Sequence, residues 1–229
     1  MRLPSHDEMV EAVLVTYDRA TVMQRVDGDA WYPTARRIVE EIAGRSDIDL
    51  HRIAHALAAL SPRNPWRWNV MDAWAFTMAV SLGKPMPTGT TFGHNQRMAW
   101  TALSEDGQPW LSSALKVRNF VAAIMGDETA VVVDVWAMRV VTGGQITSPN
   151  SDAEYRDVCW AYTEAARILG VSPRTTQAVT WLVAQQSGIG SRRTSRHDKG
   201  WKKGTPDFLR DIIAPNEPRQ LTWTGAPAS

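Results

Sequence analysis

In 229 residues only one stretch, Ala130-Val131-Val132-Val133, reads as extended, and one short β-rich run cannot make a sheet. Everything else carries the helical period between start and stop signals. Ser5 and Asp7 open an apolar-periodic stretch (Val10, Val13, Leu14, Tyr17) expected to end near Asp27-Gly28. Pro33 opens a second, with Ile38, Val39 and Ile42 on one face and Gly44 after it. Asp47 or Asp49 caps a third over His51–Leu60, which Pro62 ends. Asn64-Pro65 is an N-cap followed by a first-turn proline, predicting a fourth helix through Leu82. After a Pro- and Gly-rich connection from Gly83 to Gly93, helices are expected at about 94–103, 112–125, 135–142, 152–169 and, behind Ser172-Pro173, 173–186. The fold class that follows is all-α. Residues 1–213 form one domain with a basic loop at 187–204, and 214–229 form an irregular tail.

With 44% hydrophobic and 21% charged residues the chain is of ordinary globular composition and long enough to bury a core without disulfides or structural metal. Its single cysteine, Cys159, excludes an intrachain disulfide, a zinc ribbon and a four-cysteine iron–sulfur cluster. No membrane-length apolar run and no signal-peptide apolar region is present, so a cytoplasmic protein without a membrane partner is expected. Most of the eleven tryptophans should be core, while Trp66 and Trp68 stand beside a loop.

Charge is unevenly spread. The chain is +1 overall, yet Arg192, Arg193, Arg196, Lys199, Lys202 and Lys203 face only Asp198 within 187–204, giving that segment +5. A near-neutral body with one basic segment suits a local contact with a polyanion.

Other signals are excluded by what they lack. His51 and His55 have i, i+4 spacing, but Arg52 stands where a zinc protease needs glutamate and no third ligand follows. Gly188-Ile189-Gly190 lacks the third glycine and the preceding strand of a dinucleotide fingerprint. No metal or cofactor is implied.

The informative stretch runs from Lys116 to Arg139. A helix carries Lys116 near its start, Gly126 ends it, and Val131 to Val133 deliver Asp134 to the N-terminus of the next helix. An aspartate there caps the helix and keeps a carboxylate oxygen for chemistry, and the dipole and amide donors are expected to favour its ionised form.

This stretch resembles the helix-hairpin-helix (HhH-GPD) DNA glycosylase superfamily. Its members have a lysine at the start of the hairpin's second helix, then Val-Asp-Thr-His or Val-Asp-Val-His and an arginine a few residues on. Lys116, Val133-Asp134-Val135 and Arg139 match in place. More weakly, Leu60-Ser61-Pro62-Arg63-Asn64 is similar to the turn that carries the DNA-intercalating loop, and Phe92 to Ala99 to the helix before the hairpin. The sequence departs where Leu111-Ser112-Ser113-Ala114-Leu115 replaces the glycine-bearing hairpin and Trp136 replaces the histidine. Those changes suit a diverged, phage-type member. The resemblance implies a two-lobed helical fold with Asp134 in the cleft and Lys116 as its catalytic companion. It implies DNA contacts from Arg63, Asn64, Trp66, Ser112 and Ser113 together with the six basic residues of 187–204. Cleavage of the N-glycosidic bond of a flipped base is the activity implied first. Two alternatives stay open. One is a phage base-hypermodifying transferase that attaches a small amine or amino acid cosubstrate to a pyrophosphoryloxymethyl pyrimidine. The other is a DNA-binding module without catalysis.

Overall fold

The computed structural model describes residues 2–104, 114–188 and 206–213. These contain ten helices: α1 (His6–Asp18), α2 (Val22–Ala43), α3 (Leu50–Ala59), α4 (Trp66–Ser81), α5 (Gly93–Ser104), α6 (Leu115–Met125), α7 (Val135–Thr142), α8 (Asp152–Leu169), α9 (Pro173–Ser187) and α10 (Asp207–Ile213). No strand occurs among the described residues, and the fold is all-α. None of these helices is long and apolar enough to cross a membrane.

The sequence reading is corrected at the first boundary. Two capping boxes stand close together, Ser5 with Glu8 and Thr21 with Gln24, so the chain breaks near Arg19 and not at Asp27-Gly28. Gly28 and Pro33 both lie inside α2. Gly28 is there because α2 and α9 cross at that point: a Cβ would sit 2.5 Å from Val179 Cγ2 and 2.9 Å from Val179 Cα. Pro33 removes one helix hydrogen bond, but the surrounding turns are held from α9. Thr175 Oγ1 donates to Asp29 Oδ1 at 3.0 Å, and the Tyr32 hydroxyl donates to Gln177 Oε1 at 2.8 Å. A second correction concerns α4, where Pro65 and not Asn64 is the N-cap and no side chain caps the helix. The seven-residue α10 was not expected, being too short to show a period.

Buried apolar side chains gather in two principal clusters. One draws on α2 to α6 and α10, with Ile38, Ile42, Ile53, Leu57, Phe76 and Ile124 fully enclosed. The other draws on α1, α7 and α8, around Val13, Met138, Val158 and Tyr162. Each large aliphatic side chain so enclosed contributes about 1.5–3 kcal/mol over its exposed state. Trp31 sits in the first cluster with ring centroids 4.8 Å from Tyr32, 4.8 Å from Trp66, 6.0 Å from Phe120 and 5.5 Å from Trp181.

The extended run lies between the clusters and shows the two-residue alternation of a strand. Ala130 and Val132 pack into the first cluster, Val131 and Val133 into the second. That alternation brings the next residue, Asp134, to the boundary between them.

Candidate active site

Asp134 adopts extended backbone angles (φ −102°, ψ −173°) and is the N-cap of α7. Its Oδ1 accepts from the amides of Trp136 and Ala137, both at 2.9 Å. Both cap bonds go to that one oxygen, and among the described residues Oδ2 takes no hydrogen bond from another residue. The residue is half-buried, and the protein packed around its carboxyl pushes the pKa above the usual aspartate range. The Lys116 ammonium is the largest opposing influence, followed by the Ala137 and Trp136 amides. The cap amides do favour the ionised form as expected, but desolvation outweighs them and the net shift is upward.

Lys116 and Asp134 are thus brought within electrostatic reach across the boundary, one from α6 and the other ahead of α7. Lys116 is itself half-buried. Arg139, one turn further along α7, lays its guanidinium carbon 4.6 Å from the centroid of the Trp136 ring. Trp136 is therefore a platform for the arginine that follows it.

Tyrosines close the interior side. Tyr32 from α2 and Tyr155 and Tyr162 from α8 are buried. Burial pushes all three phenols upward, and the Asp134 charge adds to each shift, so all three are neutral hydrogen-bonding groups. The Cys159 thiol, pushed up to about 12 by burial, is no nucleophile.

The turn between α3 and α4 is a separate feature. Arg63 is exposed and holds a left-handed conformation, φ 52°, which among the described residues no other non-glycine adopts. Its guanidinium carbon lies 5.4 Å from the centroid of the half-exposed Phe92 ring. Asn64 is turned inward, donating to Leu60 O and to Asp72 Oδ2, each at 3.1 Å. Asp72 Oδ2 also accepts from Thr90 N at 2.7 Å, and Thr91 Oγ1 donates to Pro62 O at 2.7 Å, so the turn is fastened to the 87–92 connection. Trp66 is half-buried against Trp31. Of the three residues expected at a DNA-facing rim, the structure leaves Arg63 outward and takes Asn64 and Trp66 inward. Ser112, Ser113, Arg192, Arg193, Arg196, Lys199, Lys202 and Lys203 lie outside the described residues.

A groove of about 420 Å³ runs along α6, lined by Leu115, Arg118, Asn119 and Ala122 with His51 opposite. Sequence reasoning missed Asn119, Tyr155 and Tyr32, because each looks like an ordinary residue of an amphipathic helix and only the hydroxyl and amide partners distinguish it.

Residues 3–188 match the family described as "Family of unknown function (DUF7178)". No curated protein and no solved structure matches the chain.

Proposed function

Because the chain belongs to the DUF7178 family, whose description assigns no activity, we propose its function from the site: a DNA base-processing enzyme, similar to the helix-hairpin-helix glycosylases, that cleaves the N-glycosidic bond of a flipped and modified base. The observation that carries the reading is the Asp134 carboxylate, fixed through Oδ1 by two amides while Oδ2 takes no hydrogen bond from another described residue, opposite the Lys116 charge. Two buried clusters with this residue at their boundary support a two-lobed molecule with a cleft.

In that chemistry the bond from sugar C1′ to the base nitrogen breaks, the base leaves with the electron pair, and positive charge develops on the sugar. Ionised Asp134 stabilises that charge and takes a proton from the attacking water through Oδ2. The Lys116 charge offsets part of the burial that disfavours the ionised carboxylate. A lyase would instead use the neutral Lys116 amine as nucleophile at C1′ and proceed through a Schiff base. Arg63 over Phe92, on a turn pinned from behind, is suited to fill the space that an extruded base leaves. The six basic residues of 187–204 supply phosphate contacts. On this reading the protein acts in the cytoplasm, that of the host if a phage encodes it.

Mass spectrometry of nucleosides and free bases tests this, after incubation with modified and unmodified DNA. Release of a base that the Asp134→Asn variant does not release supports the reading. An enlarged nucleoside, formed only with an added amine or amino acid, would mean transfer in place of hydrolysis. Binding without any product would leave a DNA-binding module. Borohydride trapping that depends on Lys116 separates lyase from hydrolase.

A further inference from the structure

The run ahead of Asp134 raises a problem of polar accounting. Val131, Val132 and Val133 are each 2–4% exposed, and buried extended backbone needs hydrogen-bond partners that a neighbouring strand would ordinarily give. No strand is present among the described residues. One side chain takes most of that place, with the Cys159 thiol, 3.8 Å from Val131 O, as a second and weaker donor. The Tyr155 hydroxyl donates to Val131 O and accepts from Val133 N, each at 3.2 Å. Its second acceptor position takes Asn119 Nδ2, also at 3.2 Å. A phenol has one donor and two acceptor positions, so all three are used.

The two ends of this connection matter. Val133 is covalently joined to Asp134. Asn119 lies one turn along α6 from Lys116 and is anchored on its own helix by a bond to Leu115 O at 3.1 Å. Tyr155, on α8, therefore fastens the backbone that delivers Asp134 to the helix that carries Lys116.

We propose that Tyr155 is the positioning residue of this site, its hydroxyl setting where Asp134 stands relative to Lys116, with Asn119 as the link to α6. The proposal rests on the reading of Asp134 as the reacting carboxylate. Tyr155 itself makes no hydrogen bond to the carboxyl, and its phenol, pushed well above its usual range by burial, exchanges no proton near neutrality. Its role is geometric. Without the hydroxyl, Val131 and Val133 lose a shared partner and the run shifts or hydrates, which changes the environment of Asp134 before it changes anything else.

The test is Tyr155→Phe, read in two ways. The first is the titration of the Asp134 carboxyl by carbon NMR, which needs no substrate. Facing that carboxyl are Lys116 from α6, Tyr32 from α2, Tyr155 and Tyr162 from α8, and the α7 amides. Only the Tyr155 hydroxyl changes in the variant. The carboxyl is expected to titrate closer to an ordinary aspartate as water reaches it. The second readout is base release, where kcat should fall on the order of tenfold to a hundredfold with KM little changed, the mark of a misplaced reacting group. Asn119→Ala, which removes one of the three bonds, should move both readouts in the same direction by less, and it decides the matter if Tyr155→Phe does not fold. A folded variant whose Asp134 titrates as in the parent overturns the proposal. If Asp134→Asn proves as active as the parent, the glycosylase reading fails, and the titration still decides whether Tyr155 positions Asp134.

Discussion

The run that ends at Asp134 and the turn that joins α3 to α4 are both short and irregular, yet their polar atoms fare differently. Along the run, Tyr155 serves Val131 and Val133, and Asp134 Oδ1 holds two amides. Around the α3–α4 turn, both ring nitrogens of His55, Asn64 Oδ1, Trp66 Nε1 and Asn69 Oδ1 are buried and find no partner among the described residues. Arg63 adds a left-handed backbone. Unsatisfied groups and strained dihedrals each cost free energy and concentrate where a protein does something other than hold itself together. The first region is organised in advance to hold one carboxylate still. The second leaves several buried polar atoms without a partner among the described residues and one non-glycine residue in a left-handed conformation.

The largest expected effect breaks the first region. Asp134→Asn retains an oxygen for the two cap amides but removes the charge, so base release should fall about a hundredfold or more while the unfolding midpoint hardly moves. Asp134→Ala removes charge and cap together and should cost about 1 kcal/mol of stability besides. Because burial raises the Asp134 pKa, the acidic limb of the parent's pH–rate profile should lie above the ordinary aspartate value of about 3.9, activity being lost as pH falls through it. Wild-type turnover in Asp134→Asn would remove the mechanism.

Next comes the crossing that holds Tyr32 beside this region. Gly28→Ala puts a methyl against the Val179 backbone, which cannot rotate away. A loss of about 1–3 kcal/mol in urea unfolding is expected, against a modest gain in helix propensity from the same change. A neutral or stabilised variant would show that α2 and α9 can part without cost.

Gly28 also shows where the sequence was legible and where it was not. Boundaries marked by local chemistry were readable: Ser172-Pro173 opens α9, and Asp134 caps α7. Gly28 and Pro33 carry the same letters as helix breakers, and only the approach of Val179, about 150 residues away in sequence, makes an interior glycine necessary. The pairing of Asp134 with Lys116 was legible only through the resemblance to the glycosylase hairpin, whose lysine and aspartate stand in one supersecondary unit. The raised Asp134 pKa was not, because burial depends on α2 and α8, which no local pattern reveals. Asn64 looked like a cap for the same reason: its amide is used by Asp72, eight residues on and on the next helix.

A smaller effect sharpens the contrast from the other side. His55 is 2% exposed, and burial holds its pKa below the usual histidine value. The unfolded chain takes up a proton near pH 6.5 while the folded protein resists it, so stability is complete above that pH and declines as pH falls toward the folded value. The decline is at most about 1.4 kcal/mol per pH unit. His55→Leu should flatten that dependence and leave stability at pH 8 the same or higher, since an apolar group of similar size replaces two unpartnered nitrogens. Unfolding curves at several pH values check this. An unchanged acid dependence would mean that His55 does have partners in solution.

The smallest stability effect carries the sharpest functional contrast. At Arg63 a glycine removes the left-handed penalty of about 1–2 kcal/mol. Against that stand about 0.5–1 kcal/mol of added chain entropy in the unfolded state and a similar amount for the lost contact with Phe92. These terms nearly cancel, so Arg63→Gly should unfold within about 1 kcal/mol of the parent. A residue kept in a costly conformation for no structural gain should then show its use in binding. Affinity for DNA containing a flipped or mismatched base is expected to drop, and if the guanidinium neutralises a phosphate the log–log salt slope becomes shallower by about 0.9. A drop in affinity with an unchanged slope points instead to insertion between bases, where Phe92→Ala should weaken binding in the same way. If Arg63→Gly binds such DNA as tightly as the parent, the strained turn belongs to the fold alone, and the division between a rigid carboxylate site and a DNA-facing turn is lost.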